Sequence, residues 1–160
     1  MSLIEGGAQE RGRRAGTENL PAIAGMAAAF SEACINRHAN TIKTAKLRDY
    51  VISRLSEIPG AVLNGPDPVR RLPGNVSFCF EGVNSESLLL QLSQHGICAS
   101  AGSACMSGSI EPSHVMLAIG RSRELASGSL RLTFSAENTM EEAELICSVI
   151  PGIISKLRGE

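Results

Sequence analysis

Two short runs, Asn75-Val76-Ser77-Phe78-Cys79-Phe80 and Leu130-Arg131-Leu132-Thr133-Phe134, alternate large apolar with small or polar side chains. Successive residues of an extended strand point to opposite faces, so Val76, Phe78 and Phe80 share one face, as do Leu130, Leu132 and Phe134. Each run is therefore a strand with one face that must be buried, and a sheet built from such strands needs a covering layer. Cys79 falls on the opposite face, where packing against a helix layer is its expected role.

Helical stripes supply that layer. Ile23, Met26, Ala27, Phe30 and Cys34 recur at helical spacing, which makes Cys34 a core-facing thiol by expectation. Thr17 or Asn19 is placed to cap this helix, and Pro21 is tolerated in its first turn. Leu47, Val51, Leu55 and Ile58 form a second stripe that stops at Pro59-Gly60. The polar stretch between Asn36 and Lys46 leaves two readings, of which one long, bent helix is favoured over a break. Asn84 or Ser85 caps a helix carrying Leu88, Leu89 and Leu92, and Gly96 ends it. Pro112 opens a short helix with Val115, Met116 and Ile119, and Ser122 to Ala126 makes another. The last helix starts at the cap Asn138-Thr139 and carries Ile146, Val149, Ile150, Ile153 and Leu157, with a kink or split expected at Pro151-Gly152. Ala61-Val62-Leu63 and Ile97-Cys98-Ala99 read as short strands, and Asn64-Gly65-Pro66-Asp67-Pro68 as a turn. Helices and strands thus alternate into an α+β fold, an α/β sandwich whose small sheet carries helices mainly on one face.

Composition narrows the function. A chain of 160 residues is the size of one domain. Fifteen basic against sixteen acidic residues leave no excess of positive charge for nucleic acid, and one Tyr, four Phe and no Trp provide little for base stacking. No apolar run approaches the roughly 20 residues of a membrane span. Five cysteines, Cys34, Cys79, Cys98, Cys105 and Cys147, lack the pair spacing of a zinc site or disulfide scaffold, so a reducing, cytoplasmic compartment is expected. Asn75-Val76-Ser77 matches a glycosylation acceptor but falls within a predicted strand, and is read as chance.

Two segments resist a packing explanation. From Ile97 to His114 the chain reads ICASAGSACMSGSIEPSH, a loop rich in Gly and Ser around Cys105. Its small residues bury too little surface to offset the entropy of being fixed, so mobility is expected, and such a loop is either a linker with an incidental thiol or a carrier of a reactive one. Residues 5–17 hold four glycines and three arginines and almost no apolar side chain. Arg11, Arg13 and Arg14 there suit an anionic partner or a plain solvated arm.

These segments carry a resemblance. ASAGSACMSGSIEPSHV around Cys105, preceded by GGAQERGRRAGTEN and followed by SLRLTFS, is similar to the cysteine desulfurases of the NifS/IscS type, with three motifs in the family's order across nearly the whole chain. The resemblance implies the small C-terminal domain of a fold-type I enzyme dependent on pyridoxal 5'-phosphate. Such enzymes convert L-cysteine to L-alanine and leave the sulfur as a persulfide for iron–sulfur cluster or other sulfur-compound biosynthesis. Cys105 is then the cysteine that takes the sulfur, attacking the substrate sulfur and carrying the persulfide to an acceptor. Arg131 matches the arginine that grips the substrate carboxylate, although an arginine on a strand is otherwise an ordinary surface charge. Thr17 matches the threonine that reaches the cofactor phosphate of the neighbouring subunit in a homodimer. The partners implied are L-cysteine and a sulfur-acceptor or iron–sulfur scaffold protein.

The sequence also departs from the family. The three lysines, Lys43, Lys46 and Lys156, lie in helical segments without the context of the Schiff-base lysine, and Met106 is bulkier than the residue expected after the cysteine. Met1-Ser2-Leu3 is read as an artificial start joined just after the missing lysine region. Residues 1–17 are then an arm belonging to an absent large domain or dimer interface, and residues 18–160 the small domain, with the cysteine loop at about 99–111. A chain of this kind is expected neither to hold the cofactor covalently nor to turn over alone. Other readings are the small domain of a related fold-type I aminotransferase or lyase, a non-catalytic sulfur-carrier or docking module, and a metal site from Cys98, Cys105 and His114. The spacing of the last is unlike a zinc motif, and no metal is expected.

Overall fold

In the computed structural model residues 4–102 and 113–160 are described, so Cys105, Met106 and the predicted helix start at Pro112 lie outside the described residues. The chain divides into two compact units, one ending at His38 and the other beginning at Ala39.

The unit ending at His38 opens with a single turn, α1 (Gln9–Gly12), in which Glu10 and Arg11 take left-handed φ values of 51° and 58°. Left-handed backbone at residues with a Cβ costs roughly 1–3 kcal/mol each. Ala15 is buried, and the Gln9 side chain accepts from the Gly16 N–H at 3.3 Å. Asn19, not Thr17, caps the helix that follows, its Oδ1 accepting from the Ala22 N–H at 3.1 Å. That helix, α2 (Leu20–Leu55), is unbroken through the polar stretch, as the favoured reading had it. Its first apolar stripe is uncovered: Ile23, Met26 and Phe30 are exposed, and so is Cys34. The expectation of a core-facing Cys34 is therefore corrected, because periodicity defines a stripe without supplying anything to lie against it.

In the unit from Ala39 onward the sheet has three strands in the order β1 (Ala61–Leu63), β2 (Asn75–Phe80) and β3 (Ser129–Thr133), all antiparallel. Phe78 lies opposite Leu63 on one side and Leu130 on the other, and Val76 lies opposite Leu132. This register puts Ala61, Leu63, Val76, Phe78, Phe80, Leu130 and Leu132 on one face, where the Phe78 and Phe80 rings stack at 5.8 Å. Against that face pack Leu47, Val51 and Leu55 of α2, Leu88 and Leu92 of α3 (Ser85–Gln94), and Ile150 and Ile154 of the last helix. Each such side chain contributes about 1.5–3 kcal/mol by leaving water.

Local signals set the ends of these elements. Asn84 caps α3 by accepting from the Ser87 N–H. Two short helices follow, α4 (His114–Ala118) and α5 (Arg123–Ala126), the second capped by Ser122. The final helix, α6 (Met140–Arg158), starts with a reciprocal capping box between Thr139 and Glu142 and ends at left-handed Gly159. Pro151 does not split it. The predicted strand at Ile97–Ala99 does not form: pairing is confined to one bridge at Ser100, opposite Arg131. Among the described residues no helix is long and apolar enough to cross a membrane.

Candidate functional site

The register that buries one face of the sheet turns Val62, Asn75, Ser77, Cys79, Ser129, Arg131 and Thr133 to the other. Arg131 is the exposed centre of β3, between buried Leu130 and Leu132. Ser77 pairs with it from β2, and Ser100 bridges to it on the outer side, the Ser100 N–H donating to the Arg131 carbonyl at 3.0 Å. Its guanidinium is thus presented from a strand held on both sides, a rigid mount for a planar, fork-shaped donor.

Beside it lies a hydrogen-bonded polar cluster centred on buried Asn64. Asn64, just beyond β1, donates from Nδ2 to Ser77 Oγ and to Cys79 Sγ, both at 3.3 Å, and its Oδ1 accepts from Arg121 Nε at 2.9 Å. Arg71 donates to the Asn64 carbonyl and, at 2.7 Å, to that of Pro66, fixing the turn predicted there. Burial pushes the Cys79 thiol above its ordinary pKa, with the Asn64 hydrogen bond and the Arg121 charge opposing. Cys79 is therefore an enclosed thiol poorly suited to act as a nucleophile.

The segment leading toward Cys105 is fixed at this edge. Ser129 Oγ donates to the Ala101 carbonyl at 2.6 Å, and Ser100 Oγ donates to that of Gly102 at 2.8 Å. A Cβ placed on Gly102 would stand 3.7 Å from Ser113 Cβ, so the residues on either side of 103–112 meet. Thr17, exposed, belongs to the unit ending at His38, and Cys105 lies outside the described residues; of the three predicted site residues, Arg131 alone belongs to the sheet. Sequence reasoning passed over Asn64 and Arg121. Asn64 reads as an ordinary turn residue, and nothing local marks Arg121 as a partner 57 positions away.

The sequence pattern of the family described as Aminotransferase class-V matches residues 4–146. The chain belongs to the class-V aminotransferase family. Within this family it is 47% identical over 160 residues to "Cysteine desulfurase IscS" of Clostridium botulinum (strain Hall), covering 99% of this chain and 40% of that protein. It is 48% identical over 157 residues to "Cysteine desulfurase IscS" of Methanosarcina thermophila, covering 98% and 39%. The chain thus spans about 40% of the length of the curated relatives it matches. Among solved structures it resembles a NifS-like protein from Rickettsia africae, with a TM-score of 0.80 at 29% identity, over 96% of this chain and 39% of that one. A second NifS-like protein aligns with a TM-score of 0.80 at 33% identity, over 97% and 39%. The resemblance and the α+β fold read from the sequence are borne out.

The class-V aminotransferase family implies pyridoxal 5'-phosphate, and the described residues do not form a seat for it. Lys43, on α2, donates to the Ala136 carbonyl, Lys156, on α6, donates to Gln91 Oε1 at 3.3 Å, and Lys46 is an exposed residue of α2. No lysine stands on the face that carries Arg131, so no step through the cofactor is derived from this chain.

Proposed function

We propose that this chain is the sulfur-accepting part of a cysteine desulfurase, with Arg131 binding the substrate carboxylate and Cys105 receiving the sulfur. The supporting observation is that Arg131 shares its bridge with Ser100, on the edge from which the chain runs on to Cys105. Cys105 follows Gly102 by three residues, a tether of at most about 11 Å. Arg131, exposed on a strand pinned at both sides, pairs with a carboxylate in two parallel hydrogen bonds and orients the amino acid.

The chemistry of this pair is a sulfur transfer. The Cys105 thiolate attacks the sulfur of bound L-cysteine; an S–S bond forms as the substrate carbon–sulfur bond breaks. The electron pair of the broken bond stays with the substrate carbon, which takes up a proton and leaves as L-alanine. Cys105 keeps the sulfur as a persulfide and yields it to a sulfur-acceptor or iron–sulfur scaffold protein. Pyridoxal 5'-phosphate, which the class-V family implies, would supply the electron sink that makes the carbon–sulfur bond labile. Thr17 contributes to its phosphate site in the neighbouring subunit of a homodimer, and residues 1–17 serve as the arm that reaches there. The enzyme is cytoplasmic, where thiols stay reduced.

The test is Cys105→Ser in the holoenzyme. Sulfide release should be lost while cofactor absorbance is retained; sulfide formed at the parent rate would remove Cys105 from the mechanism.

A further inference from the structure

Ser77 on β2 and Arg131 on β3 stand directly opposite each other. Both backbone hydrogen bonds of Arg131 run outward to Ser100, while the Ser77 carbonyl points the other way and accepts from the Asn64 N–H at 2.8 Å. The two residues therefore form a non-hydrogen-bonded pair, the closer of the two kinds in an antiparallel ladder, with Cα atoms about 4.5 Å apart and both side chains on one face. Arg131 is exposed there, and Ser77 is 9% exposed.

The direction of the Ser77 hydroxyl follows from which groups can donate. Arg121 Nε, at 2.9 Å, carries no lone pair to offer, so the Asn64 side-chain atom facing it is the oxygen. The amide nitrogen of Asn64 is thereby turned to Ser77 Oγ and Cys79 Sγ, each at 3.3 Å. A second bond from Arg121 to the Leu63 carbonyl, at 2.8 Å, holds the guanidinium in place, and Asn64 itself is 3% exposed. Ser77 Oγ thus accepts from Asn64 and keeps its own proton to give. Among the described residues that proton has no acceptor, and the Arg131 guanidinium beside it is a donor only. An unused donor on a side chain more than nine-tenths buried, paired with a fork of further donors, lacks one component: an acceptor with several lone pairs. A carboxylate has about four such positions and gives two to an arginine fork, which leaves room for a hydroxyl.

We propose that Ser77 is a second substrate-binding residue, its hydroxyl donating to the carboxylate held by Arg131, with Asn64, oriented by Arg121, as the positioning residue that turns the Ser77 proton toward that carboxylate. The proposal rests on the reading of Arg131 as the carboxylate-binding residue. Asn64 and Arg121 touch no substrate; they set the polarity of the hydroxyl. A site of this kind rejects a carboxamide in the same place, because the NH2 group would meet a donor with a donor.

The test is competitive inhibition of the holoenzyme by two fragments of cysteine: 3-mercaptopropionate, which keeps the thiol and the carboxylate, and cysteamine, which keeps the thiol and the amine. Ser77→Ala should raise the inhibition constant of 3-mercaptopropionate by about tenfold or more, the loss of a hydrogen bond to a charged group, and leave that of cysteamine within twofold. A general loosening of the fold does not produce this split. Asn64→Asp keeps the size of the side chain and the bond to Arg121, but its carboxylate takes the Ser77 proton for itself. It should weaken 3-mercaptopropionate as Ser77→Ala does, and the double variant should lose no more than either single one. A parent-like constant for 3-mercaptopropionate in Ser77→Ala, an equal rise for both inhibitors, or fully additive losses in the double variant overturns the proposal. If Ser77→Ala does not melt cooperatively, Ser77→Cys, whose thiol is a weak donor, is read in its place with the same outcomes. Arg131→Ala, measured in parallel, separates this proposal from the reading beneath it. A constant that rises in Arg131→Ala but not in Ser77→Ala leaves the functional reading standing and overturns the role of Ser77; one that is unchanged in Arg131→Ala overturns both.

Discussion

Ser100 and Arg131 exchange both of their backbone hydrogen bonds, at 3.0 and 2.5 Å. A residue next to the predicted sulfur-carrying segment and the residue predicted to hold the substrate are thereby locked in one register. A shift of either is transmitted to the other through two short bonds rather than through a flexible connection.

Arg131→Lys keeps the charge but loses the planar fork. In the holoenzyme it should raise KM for cysteine by about ten- to a hundredfold, with the larger loss for Arg131→Ala. Because the side chain is exposed, the melting midpoint should move little, by the equivalent of about 0.5 kcal/mol or less. Steady-state kinetics beside a thermal melt separates the two effects; an unchanged KM removes Arg131 from the substrate site.

The five thiols should differ in reactivity. Cys105 is expected to alkylate fastest, with exposed Cys34 and Cys98 next. Buried Cys79 and Cys147 should lag, Cys147 most visibly because burial pushes its pKa up to about 11. Its labelling by iodoacetamide should therefore stay slow at pH 8 and accelerate only as pH approaches that value. Peptide mass spectrometry over a time course gives the order, and early labelling of Cys79 or Cys147 would contradict the burial described for them.

Asn64→Ala removes the acceptor of Arg121 Nε and the donor to Ser77 and Cys79. Leaving buried partners unsatisfied costs about 1–3 kcal/mol, read by denaturant unfolding. A double-mutant cycle with Arg121→Met should show coupling, since the two single losses share one bond. Additive losses would mean that the pair is not energetically connected.

The start of α6 should contribute acid sensitivity. The Asn138 side chain and the Thr139 backbone N–H hold the Glu142 carboxyl below its ordinary pKa. A carboxyl depressed in the folded state adds stability above its unfolded pKa of about 4.3 and loses it as pH falls through the folded value. Melting midpoints between pH 6 and 2 should fall, and Glu142→Gln, which removes the titrating carboxyl, should lose less on acidification.

What could be read without coordinates was whatever rests on neighbours in sequence. The alternation in Asn75–Phe80 and Leu130–Phe134 announced the one-sided sheet, and the caps Asn84 and Thr139 serve the helices they precede. What could not be read depends on distant partners. Cys34 lies on a true helical stripe yet is exposed. Ile97–Ala99 has strand composition, but only Ser100 finds a pairing position. Pro151 was expected to disturb α6, yet it removes a single donor from a helix whose Ile150, Ile153 and Ile154 are buried around it. At the candidate site, Arg131 was visible through its motif, whereas the hold of Arg121 on Asn64 joins residues 57 positions apart and leaves no local trace.

The meeting of Gly102 with Ser113 bears on how such proteins diversify. A scaffold whose two attachment points already touch is indifferent to the length of whatever is strung between them, because doubling a flexible span adds only about 0.6 kcal/mol of closure entropy. The ten residues now between them can be exchanged for a shorter or longer insert with the sheet, its register and Arg131 unaltered, making this position an interchangeable cartridge that descendants, or engineers, could swap without rebuilding the protein.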